Sequence, residues 1–307
     1  MGDRSKIEWT DATWNPVRGC SLVSAGCTNC YAMREAHRHQ SYGGLTRSTE
    51  HGPVWTGEVR VVPELLDQPL RWKRPRRIFV NSMSDLFHES IPLEFVGRVY
   101  GVMRQAHWHT FQVLTKRPER MREFFDWWRF QEWKETGGFE RVAQNIWWGI
   151  SAENQPTFDD RLPFIQDETI PAAVRFLSLE PLLAPIDISD AFQEIDLGDE
   201  DYSKWSLALN WVILGGESGP CARPMDLGWV RSIVRQCKEA EVPCFVKQLG
   251  AVPVVDENEW RNNPVRLLSV KNRNRAPAGT VPLFFNDSKA GDWNEWPKDL
   301  QVREFPA

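Results

Sequence analysis

Residues 77–105 read RIFVNSMSDLFHESIPLEFVGRVYGVMRQ. Arg77 to Val80 is a short apolar run, and Asn81-Ser-Met-Ser-Asp85 is a polar cluster. Leu93–Gln105 then sets Phe95, Val96, Val99 and Met103 near helical spacing. The stretch therefore predicts a strand, a loop and a helix in that order. Its strand is nearly all apolar rather than alternating, as expected where both faces of a parallel sheet are covered.

Working outward, the same unit recurs. Apolar runs fall at Phe111–Leu114, Ile146–Ile150, Arg175–Leu179, Trp211–Leu214 and Pro243–Val246, and Ala12–Asn15 supplies a first strand. Consecutive runs start roughly 30–35 residues apart, the length of a βα unit. A further helix is predicted over Met225–Ala240, with Asp226 as its N-cap and Trp229, Ile233, Val234 and Cys237 on one face. Strand then helix, six or seven times over, predicts an α/β fold: a full or partial parallel (β/α) barrel of TIM-barrel-like type. No G-x-G-x-x-G follows the first strand, which argues against a dinucleotide-binding sheet. The expected organisation is a barrel over residues 1–250, with residues 251–307 as a C-terminal extension packed on it. An acidic surface insertion is expected at about 185–209, carrying Asp187, Asp190, Glu194, Asp196, Asp199, Glu200 and Asp201.

The totals narrow the function classes. The 307 residues are 41% hydrophobic and 26% charged, with a formal net charge of −5. That excludes a disordered chain and a broadly basic nucleic-acid coat, while leaving room for a local basic groove. No run approaches the ~18 apolar residues of a membrane span. The segment MGDRSKIEWTDATW lacks a signal-peptide core, so the expectation is a cytoplasmic protein without a membrane partner. Six cysteines in that compartment are expected to be reduced or metal-bound. The 16 tryptophans, some in doublets (Trp127-Trp128, Trp147-Trp148), read mainly as core filling.

Cys20, Cys27 and Cys30 stand out, spaced C-x6-C-x2-C with Gly19 and Gly26 keeping the loop open. Thiolate is a soft ligand that selects zinc or iron–sulfur over magnesium or calcium. Structural zinc wants four ligands, and only His37 and His39 stand near as a fourth. Three cysteines suffice for a [4Fe-4S] cluster with one iron left open, so the spacing favours the cluster. Cys237 and Cys244 read as packed side chains. Cys221 follows a strand end and is a candidate for a thiol role.

In a barrel, function gathers where strands end. Those ends hold Ser82, Ser84 and Asp85; Lys116 and Arg117; Ser151, Glu153 and Asn154; Glu180; Gly215, Gly216 and Glu217; and Lys247. They are the candidate cofactor-binding residues, with Asp85, Lys116, Glu217 and Cys221 as catalytic candidates. Asp85, Glu180 and Glu217 suit an ammonium or ribose hydroxyls, while Lys116, Arg117 and Lys247 suit carboxylate or phosphate. Gly215-Gly216 lets a ligand approach the backbone. For each charge, a salt bridge within the loops is the competing reading.

The segments IEWTDATWNPVRGC, GCTNCYA, FVNSMSDLFH, FQVLTKRPER, WWGISAEN, FLSLEPLL and VILGGESGP resemble a phage- and bacteria-associated family of unknown function. That family is defined by a three-cysteine motif and grouped as radical S-adenosylmethionine-like. The resemblance implies a partial β/α barrel whose cluster, on Cys20, Cys27 and Cys30, binds S-adenosylmethionine through an open iron. Reductive cleavage would yield a 5′-deoxyadenosyl radical. Two departures stand out. Radical enzymes usually space their cysteines C-x3-C-x2-C. The Gly215-Gly216-Glu217 run, similar to the motif that holds the methionine amine, follows a late strand, and Ser82, Ser84 and Asp85 hold the second-strand place.

Three functions compete. One is a radical-type enzyme acting on nucleic acid or another substrate, since Lys116, Arg117, Arg120 and Arg122 form a basic cluster. A second is a non-catalytic iron–sulfur or zinc protein that binds nucleic acid or a partner protein. The last is a metal-independent barrel hydrolase using the strand-end carboxylates.

Overall fold

All seven predicted strands form in a computed structural model of the chain, which describes residues 5–136, 142–193, 208–262 and 276–306. They are β1 (Ala12–Trp14), β2 (Arg77–Val80), β3 (Thr110–Thr115), β4 (Ile146–Ser151), β5 (Val174–Leu179), β6 (Trp211–Gly215) and β7 (Cys244–Gln248). They make one parallel sheet whose spatial order is the sequence order, from β1 to β7. A doubly wound sheet reverses its order at a switch point, and no reversal occurs here. Among the described residues β1 and β7 are the two edges of this sheet, the topology of a partial barrel. The chain divides into two compact units, Met1–Ile150 with Arg161–Phe176, and Ser151–Asp160 with Leu177–Ala307.

In the first unit, β1, β2, β3 and β4 pair in register through Trp14 with Val80, Val80 with Val113, and Thr115 with Ile150. Helices α1 (Tyr31–Arg38), α2 (Leu93–Gln105) and α3 (Pro118–Thr136) belong to this unit. On α2 the predicted face, Phe95, Val96, Val99 and Met103, is buried. Of the tryptophan doublets, Trp148 is fully buried, whereas Trp127, Trp128 and Trp147 are half-buried. Tyr100 meets Phe124, Phe125 and Trp128 edge-on, and Phe125 meets Trp148 the same way. Gly149 lies where a Cβ would enter the Phe176 ring, so no larger residue fits there.

In the second unit, β6 and β7 pair from Val212 with Cys244 to Gly215 with Gln248, with an irregularity after Leu214. Helix α4 (Gln155–Ile165) starts in this unit, and α5 (Leu227–Glu239) lies wholly within it. Asp226 caps α5 as predicted, accepting from the Gly228 N–H at 2.7 Å. The buried face of α5 is Leu227, Val230, Ile233 and Cys237, whereas Trp229 and Val234 are only half-buried. The predicted face is therefore half right: Ile233 and Cys237 hold it, and the 3.6-residue period carries it to Leu227 and Val230 rather than to Trp229 and Val234. Toward the C-terminus, Pro253–Asp256 pairs with Thr280–Pro282. Val302 accepts from the Val246 N–H, and Glu304 accepts from the Trp211 indole. In the acidic segment, Asp187 and Asp190 are described, whereas Glu194, Asp196, Asp199, Glu200 and Asp201 lie outside the described residues. Among the described residues no helix is long and apolar enough to cross a membrane.

Candidate metal centre

In the first unit, two asparagines lock the loop after β1 to the loop after β2. Asn15 Oδ1 accepts from the Met83 N–H at 3.1 Å and from the Ser82 hydroxyl at 3.2 Å. Asn81, at a left-handed φ of 58°, accepts from the Val17 N–H. Ser84 donates to the Val17 carbonyl at 2.9 Å. Next in the chain, Gly19 has φ 89°, and a Cβ there would collide with the Glu58 carbonyl. Any side chain at this point would displace the turn that delivers Cys20. Cys27 closes a single 3-10 turn, Ala25–Cys27, and Cys30 immediately precedes α1. Cys20 and Cys30 pack on a small core of Ala32, Met33, Ala36, Tyr42, Leu45, Trp55 and Met83.

All three cysteines are free and half-buried. Burial pushes the Cys20 thiol up to about 12, with the Asp85 carboxylate adding to the rise and Arg117 opposing it. The Cys27 and Cys30 sulfurs also raise Cys20. Burial likewise raises Cys30, against which Lys116 acts as a cation. Cys20 thus feels the other two sulfurs, Cys30 feels that of Cys27, and of the two cations at the end of β3 Arg117 acts on Cys20 and Lys116 on Cys30.

Arg117 follows β3 and is only 8% exposed; Asp85, after β2, is 6% exposed. Asp85 accepts from the Thr115 hydroxyl, the Phe87 and Lys116 N–H groups, and Arg117 Nη1 at 3.2 Å. Ser21 accepts from Arg117 Nη2 at 2.7 Å and shares a 2.9 Å hydrogen bond with His88 Nε2. Because His88 Nδ1 accepts from the Ser90 N–H, the neutral ring carries its proton on Nε2 and donates to Ser21. Burial holds the His88 pKa below its ordinary value, which keeps that tautomer neutral. Ser21 therefore receives a proton donor rather than a base. His37, a candidate fourth zinc ligand, faces the hydroxyls of Thr46 and Ser48 with its two ring nitrogens. Among the described residues, no group of three or more His, Cys, Asp or Glu side chains stands close enough to hold a single metal ion. A cluster instead takes its thiolates on separate irons. Three free, mutually interacting thiols with cations beside them are a donor set that fits it.

The basic cluster predicted around Lys116 is largely paired within this unit. Arg117 meets Asp85 and Glu89, Arg120 meets Glu123, and Arg122 meets Asp167.

In the second unit, the candidate residues mostly engage one another. Buried Glu217 takes a two-pronged ion pair from Arg223, at 2.6 and 3.0 Å, and accepts from the Arg223 N–H. Lys247 Nζ lies 2.7 Å from Glu180 Oε1. Gln248 donates to the Gly216 carbonyl at 2.9 Å. A Cβ on Gly216 would meet the backbone of Leu249 and Gly250, so this glycine admits the chain itself. Asn154 caps α4 by accepting from the Thr157 N–H, and Ser151 donates to the Glu180 carbonyl at 3.5 Å. Thr157 Oγ1 accepts from the Glu153 N–H. Cys221 is exposed. Sequence reasoning missed Ser21, His88, Glu89 and Arg223, none of which carries a spacing signal.

A family model described as "Protein of unknown function (DUF5131)" matches residues 4–283. Among curated proteins none matches the sequence. Among solved structures, a mutant of spore photoproduct lyase with dinucleoside spore photoproduct aligns with a TM-score of 0.41 and 11% identity, covering 93% of this chain and 71% of that one. A double mutant of the same lyase, with bound AdoMet and dinucleoside spore photoproduct, gives 0.40 and 11%, covering 93% and 72%.

Proposed function

The chain belongs to the DUF5131 family, and within that family of unknown function we propose an iron–sulfur protein of radical S-adenosylmethionine type. Cys20, Cys27 and Cys30 hold a [4Fe-4S] cluster. The observation that carries this reading is the set of three free thiols in one loop after β1, each within electrostatic reach of another and set beside Arg117 and Lys116. Such a cluster, with one iron lacking a protein ligand, would bind S-adenosylmethionine and deliver the electron that cleaves it for chemistry on a nucleic-acid or other substrate. The protein's own part is to hold the loop rigid through Asn15, Asn81 and Gly19, and to set cations against the thiolates. Metal loading displaces the raised Cys20 and Cys30 protons, so assembly is favoured by higher pH.

One observation favours a non-catalytic iron–sulfur protein as second reading. Ser82, Ser84 and Asp85 already serve the loops, and Glu217 already serves Arg223. None of these four has been left as an isolated polar group for a methionine amine.

Anaerobic purification with counts of iron, sulfide and zinc, followed by electron paramagnetic resonance with and without S-adenosylmethionine, separates the readings. About four irons and a spectrum that changes on adding the cofactor, with 5′-deoxyadenosine released on reduction, support the enzyme. About four irons with no change support the second reading. One zinc and no iron sinks both iron–sulfur forms.

A further inference from the structure

Five N–H bonds make up an arginine guanidinium in a rigid fork, and in Arg117 each has its own acceptor. Nε donates to Glu89 Oε2 at 3.0 Å, and Nη2 donates to the Ser21 carbonyl at 3.2 Å and the Ser21 hydroxyl at 2.7 Å. Nη1 donates to Asp85 Oδ2 at 3.2 Å and, with its remaining hydrogen, to Cys20 Sγ at 3.8 Å. The two carboxylates and Ser21 fix the plane of the fork, and the fork aims one donor at the sulfur. Asp85 is itself pinned by three other donors, so the fork's anchor does not depend on Arg117.

We infer that Arg117 is a positioning residue that tunes the reduction potential of a cluster bound through Cys20. This inference rests on the iron–sulfur reading above. Reduction adds one electron to the cluster, and the negative charge it brings falls partly on the sulfur ligands. A hydrogen bond and a fixed cation at Cys20 Sγ stabilise the reduced form and raise the potential. Without the guanidinium, the Asp85 carboxylate acts on the sulfur uncompensated and pushes the same way, toward a lower potential.

The test is a redox titration, followed by electron paramagnetic resonance, of anaerobically reconstituted wild type, Arg117→Gln and Arg117→Lys. In Arg117→Gln, at the wild-type midpoint, the ratio of oxidised to reduced cluster is expected to rise about tenfold, equivalent to ~59 mV for one electron. Arg117→Lys keeps the charge and loses the fork, so its ratio is expected to rise several-fold and stay below that of the glutamine variant. A full cluster in either variant with the wild-type ratio overturns the inference while leaving the cluster reading intact. Should Arg117→Gln hold no cluster, the lysine variant decides alone, an unshifted ratio overturning the role. Wild type that takes up neither iron nor sulfide removes the cluster reading, and this inference falls with it.

Discussion

The loops around Cys20 and those around Glu217 begin from the same sequence pattern, an apolar strand followed by polar residues, and end in opposite uses. Around Cys20, three sulfurs stay free, charged side chains act on those of Cys20 and Cys30, and Arg117 directs a donor at Cys20. Around Glu217 the polar groups satisfy one another, Glu217 with Arg223 and Glu180 with Lys247. A polar cluster at a strand end is therefore ambiguous until its hydrogen bonds are traced. What separates the two regions is whether several soft ligands remain together in one loop, as Cys20, Cys27 and Cys30 do and the single Cys221 does not.

That contrast breaks most sharply at the cysteines. Replacing Cys20, Cys27 or Cys30 by Ala should lower iron from about four per chain to near none, while Cys221→Ala keeps it. Iron and sulfide assays on matched preparations check this, and full iron in all three loop variants would dissolve the distinction. Next in size, Asp85→Ala leaves the Arg117 guanidinium buried with one partner lost, a change that costs roughly 3–5 kcal/mol. Chemical denaturation should show that loss. Glu217→Ala in the second region should cost less, about 1–3 kcal/mol, because Arg223 is nearly a third exposed and can turn to water. A larger loss there than at Asp85 would invert the comparison.

A gentler probe is pH. Burial lowers the pKa of His88 and of His109 in the folded chain below the ordinary 6.5. A lowered histidine contributes stability that is fully present above the unfolded value and lost as pH falls through the folded one. The denaturation midpoint should therefore drop as pH is taken below 6.5, and His88→Gln should flatten part of that slope. The smallest effect belongs to the exposed face of α3, where Phe130→Ser and Trp133→Ser should each change stability by no more than about 0.5 kcal/mol.

Much of this protein is legible along the chain. Runs such as Ile146–Ile150 announce buried strands because a strand covered on both faces must be apolar throughout. Asp226 before an amphipathic stretch announces a helix start, and it caps α5. The cysteine spacing announces soft ligands wherever the loop folds. Arg117 was legible only as a cation. Its acceptors Cys20, Asp85 and Glu89 lie 97, 32 and 28 residues away in sequence. Gly215-Gly216 points Glu217 toward a ligand along the chain, yet its partner Arg223 stands only six residues on.

The sequence by itself determined the seven strands, the order of strand and helix, and the presence of three thiols in one loop. Each of these follows from short-range patterns: apolar runs, helical period and cysteine spacing. Only the tertiary structure decided that Arg117 serves Cys20 while Glu217 serves Arg223. A hydrogen bond forms within about 3 Å of an oxygen or nitrogen, somewhat farther from a sulfur, and in a narrow range of directions, so its partner is chosen by where the folded backbone places both groups.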